Sequence, residues 1–195
     1  MRPLSAIIGE SIAVKQALLA DRALLATIEA AAADIVTAFR HGKKVLFCGN
    51  GGSAADAQHL AAELSGRFYF DRPPLYAEAL HVNTSYVTAV ANDYSYDEIF
   101  ARSVRGSGRE GDVLVALTTS GNSANVLRAV EAAKERSMTT IALTGETGGK
   151  LKGLCTHLIN VPSRDTARIQ ESHILVGHAL CELVEESLFG ALRKP

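Results

Sequence analysis

The sequence predicts an α/β chain whose parallel sheet is covered by helices on both faces. Three apolar runs predict it, each followed by a glycine- or hydroxyl-rich turn. They lie at 44–48, before Gly49-Asn50-Gly51-Gly52-Ser53; at 112–118, before Thr119-Ser120-Gly121-Asn122-Ser123; and at 139–144, before residues 145–149. The first two turns lead into helical patterns. Short apolar runs of this kind suit strands buried on both faces.

The elements follow in order. Residues 4–40 are rich in Ala and contain no proline. Leu18, Leu25, Ile28, Ile35 and Phe39 recur at helical spacing, which predicts one or two long helices ending near Gly42. A helical arm at 1–40 ahead of the first strand suits either subunit packing or folding back on its own core. The helix after Ser53 carries His59 and Glu63, and the helix after Ser123 runs through Arg136. Weaker apolar runs at 75–82 and 156–161 add two strands. A last helix is predicted from Thr166 to Leu192. No linker divides the chain, so residues 41–195 form one domain with the arm in front.

The chain has 195 residues, enough for a core that needs neither disulfide nor metal to fold. Hydrophobic residues make up 47%, charged residues 21%, and the net charge is −1. That balance argues against bulk binding to nucleic acid or anionic membrane. Cys48, Cys155 and Cys181 are widely spaced and read as small buried hydrophobes in a reducing compartment. The first twenty residues lack the apolar centre of a signal peptide, and no segment is apolar enough to span a bilayer. A cytoplasmic protein is the expectation.

The turns at 50–53 and 118–123 have the chemistry of anion sites. Glycines allow the backbone to approach a ligand closely. Ser53 is a good N-cap for the helix it opens. Four hydroxyls, on Thr118, Thr119, Ser120 and Ser123, crowd Gly121 before a helix whose free N–H groups favour negative charge. Capped turns use the same residue types, so both readings stand here. The glycine spacing matches neither a dinucleotide fingerprint nor a P-loop.

His59 and Glu63, four apart, share one helix face, with Asp56 a turn earlier. Such a pair suits a divalent metal, proton transfer or a plain surface hydrogen bond. The terminal helix offers Gln170, Glu171, His173 and His178. The neighbours of His178 are apolar, which also suits a core histidine. His173 reads as structural or exposed.

Together, 49–59, Ala91-Asn92-Asp93, 119–125 and Arg168-Ile169-Gln170-Glu171 resemble the phosphoheptose isomerases of the sugar isomerase (SIS) superfamily, in order and spacing from about 4 to 188. The resemblance implies a flavodoxin-like three-layer αβα sandwich and a homotetramer with active sites between subunits. It implies conversion of sedoheptulose 7-phosphate to D-glycero-D-manno-heptose 7-phosphate, the first step toward activated heptose for lipopolysaccharide or other surface glycans. By the same resemblance Thr118, Thr119, Ser120 and Ser123 hold the phosphate, and Asn50, Gly51, Gly52, Asn92 and Asp93 line the sugar. Ser53, Asp56, Glu63 and Gln170 complete the substrate site. One zinc ion per subunit would be held by His59, Glu63, Gln170 and His178. The motif departs from many relatives at Thr118, where they carry Ser; the hydroxyl is kept.

Ketose–aldose isomerisation moves a proton between adjacent carbons through an enediol. It needs a carbon base and a group to handle the oxygen protons. Glu63 and His178 are the catalytic candidates, and they compete with the implied metal for the same lone pairs. Gln170 and His178 stand about 12 Å apart along one helix, so Gln170 is the weakest ligand unless another subunit contributes. The nearest alternative is a non-catalytic relative that binds the replication initiator and lacks the catalytic pair, which is present here. Another superfamily enzyme, such as an arabinose 5-phosphate isomerase, would be expected to carry an extra regulatory module.

Overall fold

The computed structural model describes residues 2–193; the terminal bounds of the predicted arm and domain, 1 and 195, lie outside it. Five strands form one sheet in the order β2-β1-β3-β4-β5, all parallel. They are β1 (Val45–Gly49), β2 (Ala77–Ala79), β3 (Val113–Leu117), β4 (Thr139–Thr144) and β5 (His157–Asn160). Every apolar run read as a strand supplies one, although the run at 75–82 contributes only the three residues of β2.

β1 and β3 are buried along their whole length, as continuous apolar runs require. Their side chains alternate between two cores. Val45, Phe47, Val113 and Val115 face helices α2 (Arg22–Arg40), α3 (Gly52–Ser65) and α7 (Thr166–Phe189). Leu46, Cys48, Leu114 and Ala116 face the opposite layer, formed by α4 (Thr84–Asp93), α5 (Ile99–Ser107) and α6 (Ala124–Glu135). The result is a three-layer αβα sandwich.

The arm is two helices, α1 (Leu4–Ala20) and α2. Asp21 divides them: its extended backbone ends α1, and its carboxylate accepts the Leu24 N–H at 3.0 Å to cap α2. α2 buries Leu24, Ile28, Ala31, Ile35 and Val36 in the core. α1 buries only Leu18 and is tied to the start of α7 by polar contacts. Ser11 donates to Glu171 at 2.6 Å, and Arg168 donates to the Ile7 carbonyl at 3.0 Å and also bonds Glu171. The Ser11 bond, with Arg168 and Lys15, holds the Glu171 carboxyl below its ordinary range.

Several expectations need correction. Ser53 is not the cap of α3. Gly51 occupies that position with φ +56°, and Ser53 lies inside the first turn, its N–H on the Asn50 carbonyl. The terminal helix ends at Phe189, and Gly190–Leu192 form a 3₁₀ turn. α4 and α5 were not foreseen; α4 buries only Val90, so it carries little helical pattern. Cys48 and Cys181 are buried free thiols, each pushed up to about 12 by burial, whereas Cys155 is only partly buried.

Candidate active site

The strand order reverses between β1 and β3: from β1 the chain moves outward to β2, and from β3 it moves the other way. Ligands bind at the carboxyl ends of the strands beside such a switch. Both candidate turns leave from there, one after Gly49 and one after Leu117.

The two turns are joined. The Asn50 amide donates to Asn125 Oδ1 at 2.8 Å, and the Asn125 amide returns a bond to Asn50 Oδ1 at 2.9 Å. Tyr96 adds its hydroxyl to Asn50 Oδ1 at 3.0 Å. Asn125 is buried. Neither Asn125 nor Tyr96 was singled out from sequence. Asn125 closes the 119–125 motif, and a polar residue on the buried face of α6 was the available signal; Tyr96 offered none.

In the second turn, buried Thr118 and half-buried Ser123 bring their hydroxyls to 3.1 Å of each other. Ser123 precedes α6 without capping it through its side chain, and Ser120 is exposed. Gly121 has φ +68°, and a Cβ there would sit 2.1 Å from the Gly148 carbonyl oxygen. Asn122 accepts the Lys150 N–H at 3.1 Å. The hydroxyl loop is thus braced against the turn after β4, with its hydroxyls beside the start of α6, an arrangement suited to an anion.

α3 carries the second half of the site. His59 Nε2 lies 3.0 Å from Glu63 Oε1. α7 runs beside α3 in the same direction, with Gln170 near Gly52 and Gly177 near Leu60. A Cβ on Gly177 would lie 2.5 Å from Leu60, so glycine allows the helices to approach closely there. The next residue, His178, brings its Nε2 to 3.1 Å from His59 Nε2. His178 is half-buried and is not a core histidine; His173 is the buried one, its Nε2 3.2 Å from the Thr144 carbonyl oxygen. Burial lowers the His173 pKa to about 4.

One ligand atom from each of His59, Glu63 and His178 falls within 4.8 Å of the others, so the three could hold a metal ion. Asp56 stands a turn before His59. Burial raises its pKa, partly offset by the two imidazoles, and its Oδ2 is buried without a hydrogen-bond partner.

Gln170 lies about two turns before His178 on α7 and reaches toward the start of α3. Its amide lies over Gly52, about 10 Å along α3 from His59 at the usual rise. Asn92 and Asp93 are exposed at the end of α4, and Asn92 donates to Asp93 at 2.9 Å. Gly51 and Gly52 are exposed, while Ser53 is buried.

A family model described as SIS domain matches residues 12–145. The phosphoheptose isomerase of Mycobacterium tuberculosis is 58% identical over 183 residues, covering 94% of this chain and 93% of that one. Among solved structures, phosphoheptose isomerase from Neisseria gonorrhoeae is similar with a TM-score of 0.87 and 47% identity, over 94% of this chain and 97% of that one. A phosphoheptose isomerase from Francisella tularensis is similar with a TM-score of 0.89 and 40% identity, over 94% and 96%.

Proposed function

The chain belongs to the SIS domain family and, within it, to the phosphoheptose isomerases, and from that membership we propose its reaction. It interconverts sedoheptulose 7-phosphate and D-glycero-D-manno-heptose 7-phosphate, an aldose–ketose isomerisation that opens heptose biosynthesis. The observation that carries the reading is the meeting of Glu63 with His178, from helices far apart in sequence, on the α3 and α7 side of a hydroxyl-lined turn.

Thr118, Thr119, Ser120 and Ser123 bind the phosphate, with neutral donors and the start of α6 supplying the field. Asn50, Gly51, Gly52, Ser53, Asp56, Asn92, Asp93 and Gln170 surround the sugar. Glu63 removes the proton from C1, giving the enediol, and returns it to C2. His178 carries the hydroxyl proton from O1 to O2. No proton is gained or lost overall, as an isomerisation requires.

The donor set fits zinc. Zinc–nitrogen bonds of about 2.0–2.1 Å in a tetrahedron place ligand atoms about 3.3 Å apart, close to the 3.0 and 3.1 Å separations around His59 Nε2. A single imidazole N–H cannot satisfy both neighbours well, whereas one cation would satisfy all three lone pairs; it would then occupy the His178 Nε2 lone pair, so His178 carries the hydroxyl proton only in the ion's absence. His59, Glu63 and His178 would hold it, with Gln170 of another subunit a candidate fourth ligand. Bound zinc supplies positive charge that favours oxyanion character at the sugar oxygens.

The assembly is a homotetramer with active sites between subunits, and the arm serves that packing. Leu4, Ile8, Ile12 and Leu19 on α1 and Leu175 and Leu183 on α7 are exposed, an apolar surface that oligomers cover. The protein works in the cytoplasm. Three free cysteines suit a reducing compartment, and among the described residues no helix is long and apolar enough to cross a membrane.

The test is an assay of the purified chain with sedoheptulose 7-phosphate. Formation of the aldose, abolished in Glu63→Gln, supports the reading. Complete inactivity of the parent with this ketose removes it.

A further inference from the structure

Arg72 and Glu185 form an ion pair at 3.0 Å whose side chains are 0% and 1% exposed. Burying two charges is costly, and an apolar pair of the same volume often serves stability as well or better. The hydrogen bonds made by this pair show what else it does.

Arg72 closes the end of α3. Its guanidinium donates to the carbonyls of Glu63 at 2.8 Å, Leu64 at 2.8 Å and Gly66 at 3.0 Å. These carbonyls lie at the helix C-terminus, where orphan acceptors and the negative end of the dipole favour a cation. The turn that presents the Glu63 carboxylate is therefore pinned through its own backbone.

Glu185 does the corresponding work on the other side. Its two oxygens accept the backbone N–H groups of Phe68 at 3.0 Å and Tyr69 at 2.8 Å. The segment after α3 hangs from this carboxylate. So held, the Phe68 ring lies against the His178 ring, with centroids 5.6 Å apart. His178 is on the same helix as Glu185, about two turns earlier. One ion pair thus touches the support of both groups that the isomerisation uses.

We propose that Arg72 and Glu185 are positioning residues for the reaction, fixing the Glu63 turn and seating Phe68 as the wall that orients His178. The inference rests on the isomerase reading above. Neither residue meets the sugar. The phosphate turn lies on other elements, so disturbing the pair changes the chemical step more than ground-state binding.

The experiment measures kcat and KM with sedoheptulose 7-phosphate at a temperature where circular dichroism shows every variant folded. Misplacement by about 1 Å can cost about a hundredfold in rate. Phe68→Leu should lower kcat at least about tenfold with KM changed less than about twofold, and Phe68→Tyr, which keeps the ring, should restore it. Arg72→Lys keeps the charge but loses the fork and should lower kcat similarly. Because Glu185 reaches His178 through Phe68, the double variant Glu185→Gln/Phe68→Leu should be no slower than the worse single. Should Glu185→Gln fail to fold, Phe68→Leu with its Phe68→Tyr rescue still decides the proposal. Unchanged kcat in Phe68→Leu, or single effects that multiply in the double variant, overturns the proposal while leaving the isomerase intact. An inactive parent removes the isomerase reading itself and this proposal with it.

Discussion

Asn50 and Asn125 exchange two hydrogen bonds across 75 residues of sequence, tying the turn after β1 to the first turn of α6. The pair spans the gap where the strand order reverses. Removing one partner leaves a polar group short of a bond, which typically costs about 1–3 kcal/mol when buried. Asn125→Ala is therefore expected to lower Tm and to raise KM for the phosphosugar several-fold. Its kcat should change less, because Glu63 and His178 are on α3 and α7. Thermal melts and initial rates check this; a kcat collapse at unchanged KM would contradict it.

The ease of reading differed along the chain for physical reasons. β1, β3 and β4 were legible because buried parallel strands leave near-continuous apolar runs ended by glycine or hydroxyl residues. α4 was not, since Val90 is its one buried residue. The His59–Glu63 pair was legible because helical periodicity places it on one face. The approach of His178 depends on Gly177 meeting Leu60, a tertiary contact with no local signature. Arg72 and Glu185, 113 residues apart, were invisible for the same reason. The cap of α3 was misread at Ser53 because serine is a common cap, but the chain needs the positive φ of Gly51.

Glu63→Gln keeps the shape of the side chain and removes the carboxylate proposed as the base. A positioned acid or base contributes about 10²–10⁴ in rate. A loss of that size in kcat is expected for Glu63→Gln and for His178→Gln. Deuterium from solvent should stop entering the sugar carbon in the first of these. Retention of more than about a tenth of parental kcat in Glu63→Gln would remove Glu63 as the carbon base.

Zinc content should follow the His59–Glu63–His178 cluster. The parent, dialysed against zinc and then metal-free buffer, is expected to keep one equivalent per chain by elemental analysis. His59→Ala and His178→Ala should each fall well below that, since a ligand has been removed from a set already small. Parental zinc content in both variants would place the metal elsewhere. Full turnover after complete zinc removal would show that the ion is not needed for catalysis.

His173 should set part of the acid stability. It is buried and neutral, with its pKa lowered to about 4 from 6.5. Below pH 6.5 the unfolded chain binds a proton that the folded chain refuses until about pH 4. Stability from this group is whole above 6.5 and is lost as pH falls between those values, in total about 3 kcal/mol at about 1.4 kcal/mol per unit. Denaturant midpoints from pH 7 to 4 should fall less steeply in His173→Gln, after allowance for its lower starting stability. Equal slopes in the two proteins would contradict the assignment.

Glycine substitutions separate the hydroxyl turn from the rest of the fold. Gly121 has φ +68°, and an added Cβ would meet the Gly148 carbonyl oxygen at 2.1 Å and the Gly149 nitrogen at 2.9 Å. Those are backbone atoms, so no rotamer relieves the clash and the turn must move. Gly121→Ala is expected to raise KM for the phosphosugar at least about tenfold, the order expected when phosphate contacts are misplaced. Inorganic phosphate should correspondingly lose strength as an inhibitor. Gly106, exposed in α5 with open space around its Cβ position, is the control. Gly106→Ala should stabilise by about 0.4–1 kcal/mol by restricting the unfolded chain and leave KM alone. If both variants bound phosphate as the parent does, the hydroxyl turn would lose its role, because of these two positions only Gly121 has a backbone conformation that depends on the missing side chain.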